Sequence, residues 1–303
     1  MRHFFQKPFR FALLYGTCLV LAASLILLDT FVFPTSIARV QESQSSSGSS
    51  ASAGTSAGDS GTYTSTSYED DNLSISLKET YEYNTEIYIV DIELSDISQL
   101  KAALAENTYG RNIKDTTSEM AAAHNAILAI NGDYYGFRNS GYVLRNGTLY
   151  RDTSSGNQDL AILSDGSFQI VDEDTASAKS LLNEGALQVF SFGPALVNDG
   201  EIAISANTEV EQAKNSNPRT AIGMVSPLHY VIIISDGRTS QSEGLSLYQL
   251  AKLFQDEGCT VAYNLDGGGS TTLWFNGSVI NQPTDGRKSG EREVSDIVYF
   301  GYS

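Results

Sequence analysis

The amino-acid sequence predicts an α+β fold: a mixed β-sheet core with packed helices and several hairpins, behind an N-terminal transmembrane helix. Three observations lead to this class. Short apolar runs alternate with turn signals from about Leu73 onward, one amphipathic segment leads directly into an apolar strand, and an uncharged apolar stretch lies near the N-terminus. Hairpin signals outnumber the single α/β unit, which favours a mixed sheet over a doubly wound one.

An apolar stretch without a charge runs from Phe11 to Leu28. As a helix, it is about long enough to cross a hydrocarbon core of roughly 30 Å. The basic residues before it, Arg2, Lys7 and Arg10, favour a cytoplasmic N-terminus. The expected location is therefore the cell membrane, single-pass, with the C-terminal domain extracellular. A cleaved signal peptide is the alternative, with residues 36–38 as a small-x-small cleavage site.

The next segment, from Gln41 to about Ser67, is rich in serine and glycine and poor in apolar residues. This composition is typical of a flexible, disordered linker. The sequence therefore predicts three parts: a basic cytoplasmic tail with a transmembrane signal anchor (residues 1–40), a linker (41–70) and one folded domain (71–303). Cys18 lies in the apolar stretch and Cys259 is the other of the two cysteines, so no intrachain disulfide is expected.

The formal net charge of -17 excludes some classes of partner. An acidic excess of this size repels nucleic acid and anionic surfaces unless basic groups gather locally. We therefore expect no nucleic-acid partner. Any anionic substrate requires a local cluster of arginines.

Strands and helices of the domain can be assigned from periodicity and capping. Residues 86–94 (EIYIVDIEL) alternate apolar and polar side chains, as a half-buried strand does. Thr116 and Glu119 have capping-box spacing and predict a short helix through Ala123. The apolar run AILAI then predicts a buried strand that ends at Asn131.

Three turn pairs predict hairpins: Asn146-Gly147, Asp199-Gly200 and Asn276-Gly277. The clearest helix is SLYQLAKLFQDEG, residues 246–258. Ser246 and Gln249 fit a capping box, four apolar residues form one stripe, and Gly258 provides the stop. The helix leads directly into the apolar strand VAYNL.

Polar side chains follow four apolar runs. In sheet proteins, ligand sites collect at strand ends because the backbone is rigid there while the side chains are free to converge. Four such endings indicate a shared pocket. The residues are Asn131, Asp133, Tyr134 and Arg138; Asn217, Arg219 and Thr220; Asp236 and Arg238; and Asp266, Ser270 and Thr271, with Glu291, Arg292 and Asp296 before the last strand.

Each cluster also has a purely structural interpretation. An Asp-Gly pair after a strand is a common turn, and an arginine before a strand is often a surface residue. His124 and His229 have no histidine or cysteine partner at metal-ligand spacing, so we interpret both as structural and expect no zinc site. Carboxylates, arginines and glycines recur together in a chain that is otherwise poor in basic residues, and this favours the functional interpretation.

Six motifs occur in a fixed order: NGDYYG, GYVLRNGTLYRD, FGPALV, NPRTAIG, SDGRTSQSEGLSLYQLA and AYNLDGGGST. With them the chain closely resembles the phosphodiester glycosidase family over roughly Leu73 to Tyr302. It looks like a bacterial surface member, of the kind described as exopolysaccharide biosynthesis proteins. The family's animal member has disulfide-rich segments after its catalytic region. The sequence shows no such module after Asp296, so we do not extend that protein's trafficking role to this chain.

The resemblance implies an extracellular, membrane-anchored hydrolase that cleaves a sugar-1-phosphodiester bond in a cell-surface polysaccharide or wall polymer. Asp266 is the first candidate for the catalytic carboxylate and Asp133 the second, while Asp236 either acts with them or orients an arginine. Arginine offers phosphate a planar pair of donors, and the glycines would let a sugar phosphate approach the backbone. The implied substrate-binding residues are Arg219, Arg238, Asn131, Gly267, Gly268, Gly269, Ser270, Thr271 and Arg292.

Two alternatives stay open at this point. One is a noncatalytic glycan-binding protein in exopolysaccharide assembly, and the other is a metal-dependent phosphodiesterase that attacks phosphorus. No cofactor is certain, but Asp133, Asp236, Asp266 and Asp296 offer oxygen ligands that suit a divalent cation such as calcium. The expected partners are a carbohydrate or sugar-phosphate polymer, and the membrane through the N-terminal helix.

Overall fold

The computed structural model describes residues 15–24, 35–36, 61–206, 216–286 and 288–302. The predicted cytoplasmic tail and residues 41–60 of the predicted linker lie outside these ranges. Helix α1 spans residues 15–24. Among the described residues, no helix combines the length and the apolar character that crossing a membrane requires. The transmembrane helix therefore stays a prediction.

Strands dominate the described part of the chain. In the described part of the domain the α-helices are α2 (Thr117–Ala123), α3 (Ala178–Asn183) and α4 (Leu247–Asp256). The strands are β1 (Thr35–Ser36), β2 (Thr62–Tyr63), β3 (Ser67–Glu69), β4 (Leu73–Glu82), β5 (Thr85–Leu94), β6 (Leu100–Leu104), β7 (Gly110–Arg111), β8 (Leu128–Asn131), β9 (Val143–Arg145), β10 (Thr148–Arg151), β11 (Gln158–Leu163), β12 (Phe168–Asp172), β13 (Ala186–Phe190), β14 (Ala195–Asn198), β15 (Glu201–Ile202), β16 (Arg219–Ser226), β17 (His229–Ser235), β18 (Val261–Asn264), β19 (Leu273–Phe275), β20 (Ser278–Val279), β21 (Thr284–Asp285), β22 (Lys288–Ser289) and β23 (Asp296–Phe300).

These strands form three main sheets. The large sheet has the order β15-β14-β18-β16-β17-β5-β4-β3-β2. The second sheet has the order β20-β19-β8-β23-β6, and the third has the order β10-β9-β13-β11-β12. β1 pairs with β7, and β21 with β22, as separate two-stranded ribbons. The sheet-rich α+β class with few helices is thus confirmed.

Every strand pair described is antiparallel. The predicted α/β unit is compatible with a fully antiparallel sheet, because its two strands are not direct neighbours. β17 and β18 both pair antiparallel with β16, so they run parallel to each other with β16 between them. Helix α4 is the crossover that joins them, and no parallel ladder is needed.

The predicted turns and caps are confirmed. Asn146 and Gly147 both have positive φ, 50° and 71°, as a type I′ hairpin turn requires, and the other two predicted hairpins have the same signature. Both capping boxes are present, at Thr116 for α2 and at Ser246 for α4. The strand predicted as half-buried, β5, is buried on both faces from Ile87 to Val90, because it lies in the interior of the large sheet, and alternates as predicted only towards its end.

The sheets and helices form layers. One face of the large sheet packs on α4, where Ile87, Val231 and Leu250 share an apolar cluster. Its other face packs on the second sheet, since residues such as Ile232 and Val298 belong to one larger cluster. Helix α2 covers the outer face of the second sheet, and α3 covers the third sheet. The edge where the large and second sheets meet brings together the ends of β8, β16 and β18.

Candidate active site

The turn that follows β18, Gly267–Gly269, packs closely against neighbouring groups. A Cβ on the first glycine would lie 2.7 Å from the carbonyl oxygen of Pro218. A Cβ on the second would lie 2.8 Å from Nη2 of Arg238, and one on the third 2.5 Å from Nη2 of Arg292. The second glycine also has a φ of +62°, which side chains rarely adopt. The sequence predicts these glycines as room for a ligand, whereas the structure fills that room with two guanidinium groups of the protein itself.

The two guanidinium groups at this turn are held by polar partners. Nη2 and Nε of Arg292 donate to Oδ1 of Asp285, at 2.5 and 3.2 Å. Nη2 of Arg238 donates to Oδ1 of Asn217 at 3.0 Å. Burial, followed by the charge of Arg292, lowers the pKa of Arg238, so the two cations are close enough to repel each other. Paired guanidinium groups of this kind favour a bound anion.

Asp266 lies directly before the glycine turn and is partly exposed. Burial raises the pKa of Asp266 to about 6. The Ser270 hydroxyl and the charges of Arg292 and Arg138 oppose this shift, and the charge of Asp133 adds to it. A carboxyl group with such a pKa can take up or release a proton near neutral pH.

A cleft of about 310 Å³ opens over Asp266. Its wall combines acidic, basic and aromatic side chains. Tyr134 and Phe137 stack on each other there, with ring centroids 4.7 Å apart, and the guanidinium of Arg138 lies 5.6 Å from the Tyr134 ring. The lining residues are Lys114, Asp133, Tyr134, Phe137, Asp266, Ser270, Asp285, Arg292, Glu293, Val294 and Ser295.

Asp133 reaches the cleft from a buried ion cluster. Its Oδ2 lies 2.7 Å from Nη2 of Arg145, whose Nε donates to Oδ2 of Asp296 at 2.8 Å. The Asp133 oxygens also accept hydrogen bonds from the main-chain N–H groups of Tyr135 (2.9 Å) and Ser191 (3.1 Å). One guanidinium and two amides therefore hold the Asp133 side chain in place.

Asp296 is the third member of this cluster and is fully buried. Burial raises its pKa to about 7, although the charge of Arg145 opposes the shift. Its Oδ1 has no hydrogen-bond partner and lies 2.4 Å from where a Cβ on Gly132 would be. The Gly132 position thus has to be glycine so that Asp296 can lie beneath the strand end.

Some predicted site residues lie behind the cleft and not on its wall. Asn131 is fully buried, donates to the carbonyl of Asp266 at 2.6 Å and accepts from Thr220 Oγ1 at 2.8 Å. It therefore fixes the backbone of Asp266 and is not exposed to a substrate. Thr271 is buried behind the turn as well, whereas Ser270 lines the cleft.

Arg219 does not reach the cleft. Its Nε donates to the carbonyl of Leu245 at 2.9 Å, whereas the neighbouring Thr220 points to Asn131 on the other face of the sheet. Side chains alternate along a strand, so the two residues cannot share a face. The expectation that Arg219 binds phosphate is corrected on this ground: the carbonyl of the preceding Pro218 accepts from the Gly268 N–H at 2.9 Å, whereas the Arg219 guanidinium faces the helix side.

Asp236 is also away from the cleft. It is buried and accepts hydrogen bonds from Tyr88, from Asn281 and from the main-chain N–H of Gln282, at 2.9 to 3.2 Å. It anchors the segment that leads to Asp285. We therefore correct its candidate role from catalytic carboxylate to support of this wall of the cleft.

The four aspartates proposed as cation ligands do not gather at one point. Asp133 and Asp296 share Arg145, and Asp236 is committed to other partners. Within the described ranges, the side chains with metal-ligand geometry are Asp91, Glu93 and His229, on the surface of the large sheet. His229 Nε2 lies 2.9 Å from Oδ2 of Asp91, a partner that sequence spacing does not reveal.

Two site residues have no clear signal in the sequence. Arg145 precedes the Asn-Gly turn of a hairpin, a position typical of exposed residues, yet only 2% of it is exposed. The sequence offers one clue: basic residues are scarce in this chain, and Arg145 nevertheless follows two apolar residues of a strand. Asp285 lies outside the motifs, and its pairing with Arg292 depends on how β21 and β22 fold back.

The model of one protein family, phosphodiester glycosidase, matches residues 124–301. A prophage-derived uncharacterized protein, YomE of Bacillus subtilis, is 33% identical over 202 residues, covering 64% of this chain and 31% of that protein. Human N-acetylglucosamine-1-phosphodiester alpha-N-acetylglucosaminidase is 28% identical over 207 residues, covering 60% of this chain and 39% of that protein. The match thus spans about a third of the length of these relatives.

Two solved structures share the fold. The catalytic domain of zebrafish N-acetylglucosamine-1-phosphodiester alpha-N-acetylglucosaminidase, auto-inhibited by its pro-peptide, aligns with a TM-score of 0.60 at 22% identity and covers 76% of this chain and 83% of that one. A hypothetical protein from Synechocystis aligns with a TM-score of 0.59 at 13% identity, covering 76% of this chain and 62% of that one. At these identities the likeness concerns the fold alone.

Proposed function

Because the chain belongs to the phosphodiester glycosidase family, we propose that it hydrolyses a sugar-1-phosphodiester bond in the cleft over Asp266. One observation carries the proposal: a carboxyl group with its pKa raised to about 6 lies beside two guanidinium groups at a closely packed glycine turn. Glycosidic cleavage requires a carboxylate near a developing positive charge. A phosphate leaving group carries negative charge, which nearby cations stabilise.

The phosphate binds Arg238 and Arg292. Both guanidinium groups contact the glycine turn, and both lie close enough to Asp266 for its charge to affect their pKa values. The departing phosphate monoester has a second pKa of about 6, far below that of an alcohol. Neutralisation by guanidinium therefore contributes more to its departure than protonation by an acid does.

The sugar ring packs on the aromatic pair. Tyr134 and Phe137 line the cleft, are partly exposed and stack in a common orientation, with an angle of 21° between their planes. Aromatic side chains with one exposed face present a flat apolar surface, which suits the apolar face of a pyranose. This positions the anomeric carbon near Asp266.

Asp266 acts as the ionised carboxylate, either as nucleophile or as base for the attacking water. Asp133 is fixed by Arg145 and by two main-chain amides, which leaves it to stabilise positive charge on the sugar and to hold the floor of the cleft. No resident metal is required by these roles. Water adds at the anomeric carbon, the glycosidic C–O bond breaks, and the phosphate monoester departs with the bridging oxygen.

Replacement of Asp266 tests the assignment. Asp266→Asn should lower kcat by about 10²- to 10⁴-fold on a sugar-1-phosphodiester, because the amide cannot serve as nucleophile or base. Asp174→Asn, at an exposed carboxylate away from the cleft, is the matched control. Turnover by a folded Asp266→Asn protein equal to that of the control would remove Asp266 from the mechanism.

Hydrolysis in oxygen-18 water identifies the bond that breaks. Attack at carbon puts the label on the sugar, which is the expected result. Label on the phosphate, together with loss of activity on chelation, would instead support a metal-dependent phosphodiesterase. Saturable glycan binding without any product would support a binding protein.

The proposed substrate is a phosphate-linked sugar of a cell-surface polysaccharide or wall polymer. It is supported by the apolar N-terminal stretch and the serine- and glycine-rich segment after it, which together suit a membrane-anchored domain outside the cell. Proteolysis of intact cells tests the location, since an extracellular domain is cut without lysis. Protection of the domain until lysis would contradict it.

A further inference from the structure

A second group of buried carboxyl side chains lies directly behind Asp133. It consists of Asp159 in β11, and Glu173, which follows β12. Ser191, which follows β13, links this group to the cleft, because its main-chain N–H donates to Asp133 at 3.1 Å and its hydroxyl donates to Glu173 at 3.1 Å. Ser191 thus connects the Asp133 side chain with the Glu173 side chain.

Glu173 is surrounded by hydrogen-bond donors. Acceptance of so many hydrogen bonds is characteristic of an ionised carboxylate, and it holds the pKa of Glu173 below its usual value despite burial. The donors are the main-chain N–H groups of Tyr142, Ser155 and Asn157 and the hydroxyls of Ser154, Ser155 and Ser191.

Asp159 has the opposite environment. It is 0% exposed, and neither of its carboxyl oxygens has a hydrogen-bond donor. Its polar neighbours are the Glu173 carboxylate and the Ser191 hydroxyl, and burial together with the charge of Glu173 raises the pKa of Asp159 to about 9. A second buried negative charge against Glu173 would be strongly unfavourable. A protonated Asp159, in contrast, can donate to Glu173.

We propose that Asp159 and Glu173 form a carboxylic acid–carboxylate pair with one proton between them, and that this pair positions Ser191 so that its main-chain N–H holds Asp133 in the cleft. Asp159 keeps its proton throughout and donates it as a hydrogen bond. Asp159 and Glu173 are positioning residues, since neither lines the cleft. The catalytic consequence rests on the proposed function, whereas the shared proton does not.

The first test follows stability against pH in the full chain. The folded protein keeps the proton on Asp159 up to about pH 9, while the unfolded chain releases it near pH 4. Between these values the unfolded state binds one proton fewer, so this group lowers stability as the pH rises. Asp159→Asn removes the titrating proton. Its midpoint of thermal unfolding, relative to that of the parent, should therefore rise steadily from pH 5 to pH 8.5.

Other groups that face the pair are present in both proteins and cancel in this difference: Glu173, Asp133, Tyr142, Tyr263 and, near Tyr142, Asp152. A difference in midpoint that does not change with pH would overturn the proposal. Infrared spectra give a second readout. At pH 8, the parent minus Asp159→Asn difference should contain a protonated-carboxyl C=O band, and its absence would also refute a shared proton.

Activity tests the positioning role with two variants of similar shape. Asp159→Leu cannot donate to Glu173 and should lower kcat by about 10- to 100-fold with little change in KM, since small displacements at a reacting group have effects of this size. Asp159→Asn retains a donor and should rescue most of that loss. Asp174→Asn is the control, being an exposed carboxylate next to Glu173. Equal kcat for the Leu and Asn variants would contradict the positioning role.

A cation between the two carboxylates is the competing explanation, and it gives different results. Calcium chloride would then raise the unfolding midpoint of the parent, EDTA would lower it, and Asp159→Asn would abolish both effects. We expect no such response, because the proton that the proposal assigns to Asp159 leaves the pair with a single negative charge, which already accepts hydrogen bonds from protein donors. If the parent cleaves no sugar phosphodiester at all, the proposed function fails, while the stability and infrared results still decide the proton pair.

Discussion

Among single residues, Asp266 offers a direct connection between ionisation and rate. Burial raises its pKa to about 6, and the proposed role requires the ionised form. The value of kcat/KM should therefore rise as the pH increases through about 6 and level off above it. A pH series with a sugar-1-phosphodiester measures this. A rate that falls through the same range would assign Asp266 as a proton donor instead.

The second glycine of the turn permits a test with a matched control. Gly268 and Gly200 both have positive φ, but a Cβ would meet Arg238 only at Gly268, and Gly200 has open space. Alanine at either position should lower the free energy of unfolding by about 1–2 kcal/mol. Only Gly268→Ala should also raise KM and weaken inhibition by inorganic phosphate. Equal KM values in the two variants would contradict an anion site at Arg238.

The sequence predicts which residues could bind a ligand better than it predicts the face of the sheet on which their side chains lie. Asp266 and Arg292 line the predicted pocket, and Arg238 reaches the glycine turn beside it. Arg219 does not, although it belongs to an equally convincing motif, because the alternation of β16 turns it to the helix side. One residue of shift in register reverses a side chain, and nothing local in NPRTAIG determines that register.

Helix α4 shows how local signals specify an element. Ser246 accepts from the N–H of Gln249 at 3.2 Å, and the Gln249 side chain accepts from the N–H of Ser246 at 2.8 Å. Ser246→Ala should therefore lower the free energy of unfolding by about 1 kcal/mol. Urea denaturation measures the change, with Ser240→Ala in an exposed loop as the control. No change in Ser246→Ala would mean that packing alone defines the start of α4.

Caps and hairpins were predictable because their causes lie within a few residues. The Asn-Gly and Asp-Gly pairs adopt positive φ with little strain, and each joins two strands that are adjacent in sequence. Burial of the first half of β5 on both faces was not predictable in the same way. It depends on β17 as a neighbour, and β17 lies more than a hundred residues further along the chain.

At the scale of the whole molecule, Arg145 connects two sheets. It lies in β9 of the third sheet and contacts Asp296 in β23 of the second. Arg145→Met should lower the free energy of unfolding by about 3–5 kcal/mol, because it leaves two buried carboxylates without a cation. Denaturant unfolding measures this. A loss below about 1 kcal/mol would show that the carboxyl groups are protonated and need no cation.

The domain class and the strand ends that carry the site follow from the sequence, but the contacts between sheets do not. Arg145 and Asp296 are separated by 151 positions, and no periodicity relates them. Asp159 and Glu173 differ, because β11 and β12 are neighbours in one hairpin, but their link to Asp133 through Ser191 again joins distant segments. Long-range polar contacts of this kind are specified only by the assembled tertiary structure.

Under the proposed function, the cluster of Asp133, Arg145 and Asp296 makes the recovery of activity a measure of the order in which the sheets assemble. A partly folded chain could retain every hairpin and still lack a working centre until the second and third sheets dock. During refolding, recovery of catalysis should therefore lag behind recovery of the far-ultraviolet circular dichroism signal. The interval between the two would measure the docking step by itself.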